Sequence, residues 1–189
     1  MIRHHPVCPP FMKKELKPLN AVVPCPVVLL SVAGEPKPNI TTLSWVANVC
    51  SEPPTVVVGV RPARHSHDMM VQTGDFVVNI PSTELIQAVV FCGSKSGKTH
   101  DKFAECGLTA VPATKVSSPI IKECPINIEC KTKQVLSIGS HDLFIAEVLA
   151  VHIDDSVLDA KGRIDLSKMP LFTYLPLLGE YWKLGKKIQ

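Results

Sequence analysis

No apolar run in this 189-residue chain is long enough to cross a membrane as a helix. The opening Met1-Ile2-Arg3-His4-His5-Pro6 lacks the apolar core of a secretory signal, so the chain is expected in the cytoplasm, with no membrane partner. Charge of one sign is also scarce. Twenty Lys and Arg against seventeen Asp and Glu leave a net +3. No basic stripe interleaved with aromatics appears, which argues against a nucleic-acid partner. The basic end Lys183-Leu184-Gly185-Lys186-Lys187 reads as a solvated tail. The seven cysteines, at 8, 25, 50, 92, 106, 124 and 130, include no Cys-x-x-Cys pair and no zinc-finger spacing. They read as reduced thiols filling apolar space. Cys92, beside a polar loop, is singled out as a candidate redox residue.

The usual catalytic signatures are missing as well. There is no Gly-x-Ser-x-Gly elbow, no His-Glu-x-x-His helix and no Gly-x-Gly-x-x-Gly turn. His65-x-His67 falls at a helix start with no third ligand at a defined spacing, so no metal is expected. A hydrolase would need residues this chain does not have.

What the chain does have is β pattern. Hydrophobic residues make up 46% and charged residues 20%, and Val, Ile, Thr and Pro are plentiful while helical periodicity is brief. Val27–Val32 is an apolar run interrupted only by Ser31, as in a strand covered on both faces. Further strands are expected at Thr55–Val60, Phe76–Pro81, Asn127–Lys133, Gln134–Ile138 and Leu143–Val151. Short helices are expected after Ser66, read as an N-cap and closed by Gly74, after Ser82 or Thr83, and after Asp101. No linker or repeat divides the chain. Residues 1–17 read as an N-terminal arm and 18–189 as one domain.

The stretch Asn39-Ile40-Thr41-Thr42-Leu43-Ser44-Trp45-Val46-Ala47-Asn48 is read as one strand. It is crowded with hydroxyls and amides although apolar strands flank it. Buried polar side chains need partners, so it either faces water or meets a polar ligand. Gly93-Ser94-Lys95-Ser96-Gly97-Lys98-Thr99 misses the nucleotide-binding P-loop by one residue, because Cys92 stands where its first glycine belongs. Its glycines, hydroxyls and lysines still suit an anion, as would Ser66 at a helix start near Arg61 and Arg64. A solvated loop and an ordinary cap remain the plain alternatives.

Taken in order, several pieces resemble the flavin reductase-like family, FMN-binding split-barrel proteins that include flavoredoxin and archaeal ferric reductase relatives. They are Pro26-Val27-Val28-Leu29, Asn39–Trp45, Glu52-Pro53-Pro54, Arg61 with Ser66-His67, and Gly74–Asn79. Ser94–Gly97, Asp101-Lys102-Phe103 and Tyr181–Gly185 continue the match, which runs from about Pro18 to the C-terminus. The resemblance implies a mainly β fold, a six-stranded split β-barrel with Greek-key connections and a few short peripheral helices, working as a homodimer. It implies FMN as cofactor, with NAD(P)H as a candidate electron donor and a flavin, a ferric chelate or a protein as acceptor. A flavoredoxin-type electron carrier and a non-catalytic flavin-binding protein are the alternatives. By that resemblance Thr41, Thr42, Leu43, Ser44, Trp45 and Asn48 would line the ring and ribityl chain. Arg61, Ser66, His67, Ser94, Ser96, Lys98 and Lys102 would hold the phosphate. Trp182 or Tyr181 would close over the flavin from the partner subunit. No side chain is assigned as a catalytic acid or base, because the cofactor carries the chemistry.

Overall fold

A computed structural model of the chain describes residues 13–188. Most of the expected arm, with His4, His5 and Cys8, lies outside the described residues, as does Gln189. Eleven strands are present among the described residues: β1 Val28–Val32, β2 Asn39–Leu43, β3 Val46–Ser51, β4 Pro54–Val60, β5 Asp75–Ile80, β6 Ala110–Val111, β7 Ile120–Ile121, β8 Ile126–Ser137, β9 Asp142–Ile153, β10 Phe172–Leu175 and β11 Glu180–Lys183. The helices are α1 His65–Thr73, α2 Ile86–Ser94 and α3 Lys102–Cys106. None is long and apolar enough to cross a membrane.

Seven strands form one antiparallel sheet in the order β2-β1-β5-β8-β9-β4-β3. Its outermost members, β2 and β3, are joined in the chain by Ser44-Trp45 alone. If the sheet were flat its edges would lie about 29 Å apart, six spacings of about 4.8 Å. From Leu43 to Val46 the chain can reach only about 11 Å. The sheet must therefore curl until its edges meet, with a seam between β2 and β3. This is a split barrel.

The seam also explains how the strand count differs from expectation. The polar stretch 39–48 is not one strand but two, which leave one edge and join the other. Conversely, the two strands expected over 127–138 are the single β8, bent by register shifts at Glu129/Cys130 and Thr132/Gln134. Such bulges sharpen the local twist that closing a sheet requires.

Two cores result. Val28, Leu30, Val32, Val56, Val58, Phe76, Val78, Phe144 and Ala146 fill the barrel, and Met69 and Met70 of α1 plug one end. Val27, Leu29 and Ile40 point outward and meet Val89, Cys92 and Phe103 beneath α2 and α3. β1 is thus buried on both faces, as its apolar run, interrupted only by Ser31, predicts. Each of these larger side chains contributes about 1.5–3 kcal/mol on burial.

The helix ends are defined by local chemistry. Gly74, at φ 65°, closes α1 in the left-handed region, its N–H donating to the Met70 carbonyl. Asp101 caps α3 by accepting from the Ala104 N–H at 3.2 Å. The expectation for Ser66 is corrected. Arg64 is the N-cap of α1 and makes no side-chain capping bond, while Ser66 lies inside the first turn and is buried.

Candidate functional site

Along the outer rim of β2 and the seam runs a groove made of two adjoining compartments that share Thr41 and Arg64. The first, about 120 Å³, is walled by Asn39, Ser66, Lys95, Ser96, Gly97 and Lys102 and by the uncapped start of α1. The second, about 200 Å³, is walled by Thr42, Leu43, Ser44, Trp45, Gly59, Arg61, His141 and Tyr174. Together they reach the lower end of the range typical of small-molecule sites, roughly 300–1,000 Å³. Behind Ser44, Trp45 and Gly59 lies a third, apolar hollow of about 360 Å³, bordered by Val22, Pro24, Val57 and Leu143.

The small compartment is lined by cations and hydrogen-bond donors. Lys102 is only 5% exposed. Its ammonium donates to the carbonyls of Ile40 at 2.7 Å and Cys92 at 2.9 Å and meets no carboxylate. Burial lowers its pKa, and the nearby Arg64 lowers it further. A buried cation facing only carbonyls retains charge that an anion can neutralise. Among the described residues, Arg64 and Lys95 make no ion pair either. Ser66 Oγ accepts from Asn39 Nδ2 at 2.7 Å, which leaves the hydroxyl proton of Ser66 without an acceptor. Gly97 lets the loop close over this floor, because a Cβ there would come within 2.6 Å of Asn39 Cγ. Around Ser96 the loop folds into a tight turn, its carbonyl accepting from the N–H groups of Thr99 and His100.

The larger compartment is flat-sided. The Trp45 and His141 rings stack at 6.1 Å with 26° between their planes. Gly59 keeps the indole close to β4, since a Cβ there would lie 3.1 Å from Trp45 Cβ. Burial, and then the Arg61 charge, lower the pKa of His141. Tyr174 forms another wall and leans on Tyr181, with ring centroids 5.2 Å apart.

Of the residues expected from sequence, the groove brings together Thr41, Thr42, Leu43, Ser44, Trp45, Arg61, Ser66, Ser96 and Lys102. Thr42 also donates its hydroxyl to the Val89 carbonyl at 2.6 Å, tying β2 to α2. Others lie apart. His67 is held by Asp142 at 2.8 Å and packs edge-on against Phe144. Ser94 ends α2, bonds back to the Phe91 carbonyl and borders a different depression. The Lys98 side chain is exposed and lines neither compartment, although its N–H donates to Ser96 Oγ. Asn48 is exposed on β3 opposite Val56. Trp182 is 53% exposed and bonds Glu180.

His141 and Tyr174 line the groove without having been assigned to it, and Asn39, Arg64 and Lys95, read from sequence only as parts of the polar stretch, the helix start and the basic loop, line it too. Arg64 and Lys95 carried a usable signal, basic residues at a helix start and in the glycine-bearing loop. His141 and Tyr174 arrive from turns and strands remote in sequence, and nothing local marks them.

The model of the flavin reductase like domain family matches residues 20–175. Flavoredoxin of Desulfovibrio vulgaris (Miyazaki F) is 32% identical, with a TM-score of 0.88 over 94% of this chain and 96% of that one. Flavoredoxin of Methanosarcina acetivorans is 28% identical, with a TM-score of 0.85 over 94% and 95%. An uncharacterised protein of Archaeoglobus fulgidus is 36% identical over 72% of this chain and 77% of its own length.

Proposed function

The chain belongs to the flavin reductase-like family, and on that premise we propose that it is an FMN-binding oxidoreductase. It would pass electrons from NAD(P)H through bound FMN to a flavin, a ferric chelate or a protein acceptor. The observation that carries this reading is the buried Lys102, facing a 120 Å³ compartment with Arg64, Lys95 and Ser66 and no carboxylate. That room suits one phosphate group rather than the diphosphate bridge of a dinucleotide, which favours FMN over FAD.

When bound, FMN supplies the hydride and single-electron chemistry itself. The chain's own residues bind and orient. Lys102, Arg64 and Lys95 would neutralise the phosphate, and Ser66 and the uncapped first turn of α1 would donate to its oxygens. Thr41, Thr42 and Ser44 offer hydroxyls along the ribityl path, and Trp45, His141 and Tyr174 would flank the ring. Arg61, beside the ring compartment, favours negative charge on whatever occupies it. No general acid or base need be assigned.

The test is the visible spectrum of the purified protein, followed by anaerobic addition of NADH and NADPH. A yellow protein that bleaches with one nucleotide supports the proposal and names the donor. The two flavoredoxin likenesses favour a second reading, an electron carrier fed by another protein. Yellow protein that ignores both nucleotides but accepts electrons from a redox protein supports that reading. Flavin bound without either response would leave a non-catalytic binding protein. A colourless protein that cannot be reconstituted with FMN would overturn all three. A homodimer belongs to the proposal: Trp182, 53% exposed, lines neither compartment of its own chain, and a second copy would bring it over the flavin. Sedimentation of a monomer at micromolar concentration would remove that part.

A further inference from the structure

We propose that Cys92 and Cys106 are a redox-active dithiol, which a peroxide closes to a disulfide that pins α3 and the Lys102 wall of the anion compartment. Their sulfurs lie 3.9 Å apart across the α2–α3 contact. A disulfide bond is about 2.05 Å long, so the sulfurs need to approach by about 1.9 Å. A small shift of α3 supplies that. This helix has five residues, too few to hold itself, and its hold on the barrel is Phe103 in the outer core and the two bonds of Lys102. One of those bonds ends on the Cys92 carbonyl, so Cys92 already grips α3 through its backbone and faces it again through its thiol.

The two sulfurs differ in access. Cys92 is buried, whereas Cys106 is half-buried and borders a surface depression of about 380 Å³ with Gln87, Phe91, Ser94 and Glu105. An oxidant therefore meets Cys106 first. The Cys106 thiolate attacks one peroxide oxygen, forming a sulfenic acid and releasing hydroxide, which takes up the thiol proton as water. Cys92 then displaces the sulfenic oxygen as a second water and the S–S bond forms. Two thiols lose two electrons and two protons, and one hydrogen peroxide becomes two waters. Burial raises both thiol pKa values, Cys92 to about 12, so closure is slow near neutral pH and quickens as the solution is made more alkaline.

The experiment treats the reduced protein with hydrogen peroxide at pH 7 and pH 9 and maps its peptides without reduction. The expected result is a loss of about 2 Da per chain, a linked Cys92–Cys106 peptide formed faster at pH 9, and reversal by dithiothreitol. Hydrogen exchange of the α3 amides should slow by about tenfold in the oxidised form. In Cys106→Ser the linked peptide and the mass loss should both vanish. A bridge between other cysteines, oxidation that stops at exposed Cys50, a mass loss that persists in Cys106→Ser, or unchanged exchange in α3 would each overturn the proposal. These readouts need no flavin, so they stand or fall separately from the FMN assignment.

Discussion

At the scale of single residues, the decisive question is what a buried ammonium is for. Lys102 spends desolvation free energy and recovers only two carbonyl bonds, so stability alone explains it poorly. Replacing it with the similarly long but neutral Met removes both bonds to buried carbonyls and should cost the fold about 1–3 kcal/mol. FMN affinity should fall at least tenfold, about 1.4 kcal/mol, while riboflavin, which lacks the phosphate, binds as before. Fluorescence titration of both flavins reads this directly, and equal losses for both would sink the phosphate role. Gly97→Ala tests the same compartment from its lid. The added methyl must displace either the loop or the Asn39 amide that donates to Ser66. FMN binding should weaken several-fold with little change in thermal midpoint, because the loop is exposed.

At the scale of elements, legibility followed periodicity. β1, β4, β5 and β9, the glycine stop after α1 and the Asp101 cap could all be read, because each rests on a run or a cap contained within a few residues. The break at Ser44-Trp45 could not. Alternation continues through it, and only the closure of the barrel, a property of all seven strands, divides β2 from β3. Ser66 misled for a related reason. A serine ahead of a helical pattern has the composition of a cap, but the chain enters α1 two residues earlier, at Arg64, and the Ser66 hydroxyl oxygen accepts instead from Asn39, which lies 27 residues upstream. The candidate site was legible where its residues lie on one strand or one loop, as with Thr41–Trp45 and Ser96. His141 joins it from the β8–β9 turn and Tyr174 from β10, placements that require the fold.

At the scale of the whole molecule, the loop between β6 and β7 is fastened to the barrel by two buried carboxylates. Asp75 of β5 accepts from Ser117 and Ser118. Glu129 of β8, wholly buried, accepts from the N–H groups of Thr114, Lys115 and Val116 and meets His152. Burial acts to raise the Glu129 pKa, but the Thr114 N–H, His152 and the Lys115 N–H outweigh it and hold the pKa at about 2, below the ordinary 4.5. A lowered native pKa means that the unfolded chain binds more protons in this window. The stabilisation is therefore complete above about 4.5 and is lost as pH falls toward 2. Glu129→Gln should cost about 2–4 kcal/mol at pH 7, since its amide presents one oxygen where the carboxylate presents two. The variant should also lose much of the wild type's acid dependence between pH 4.5 and 2, and denaturant titrations across that range would show it; a parallel pH dependence in both proteins would refute this role. The seam carries a different consequence. Its groove has Thr41–Leu43 on one side and Trp45 and Gly59 on the other, so a ligand seated there touches both ends of the sheet and makes cohesion of the barrel a function of ligand supply. By mass action, free FMN at a hundred times its Kd should add about 2.7 kcal/mol to stability, and the melting temperature should climb with the logarithm of FMN concentration. Cofactor availability would then set how long each molecule survives in its surroundings, and starvation for flavin would be felt first as turnover of the protein itself.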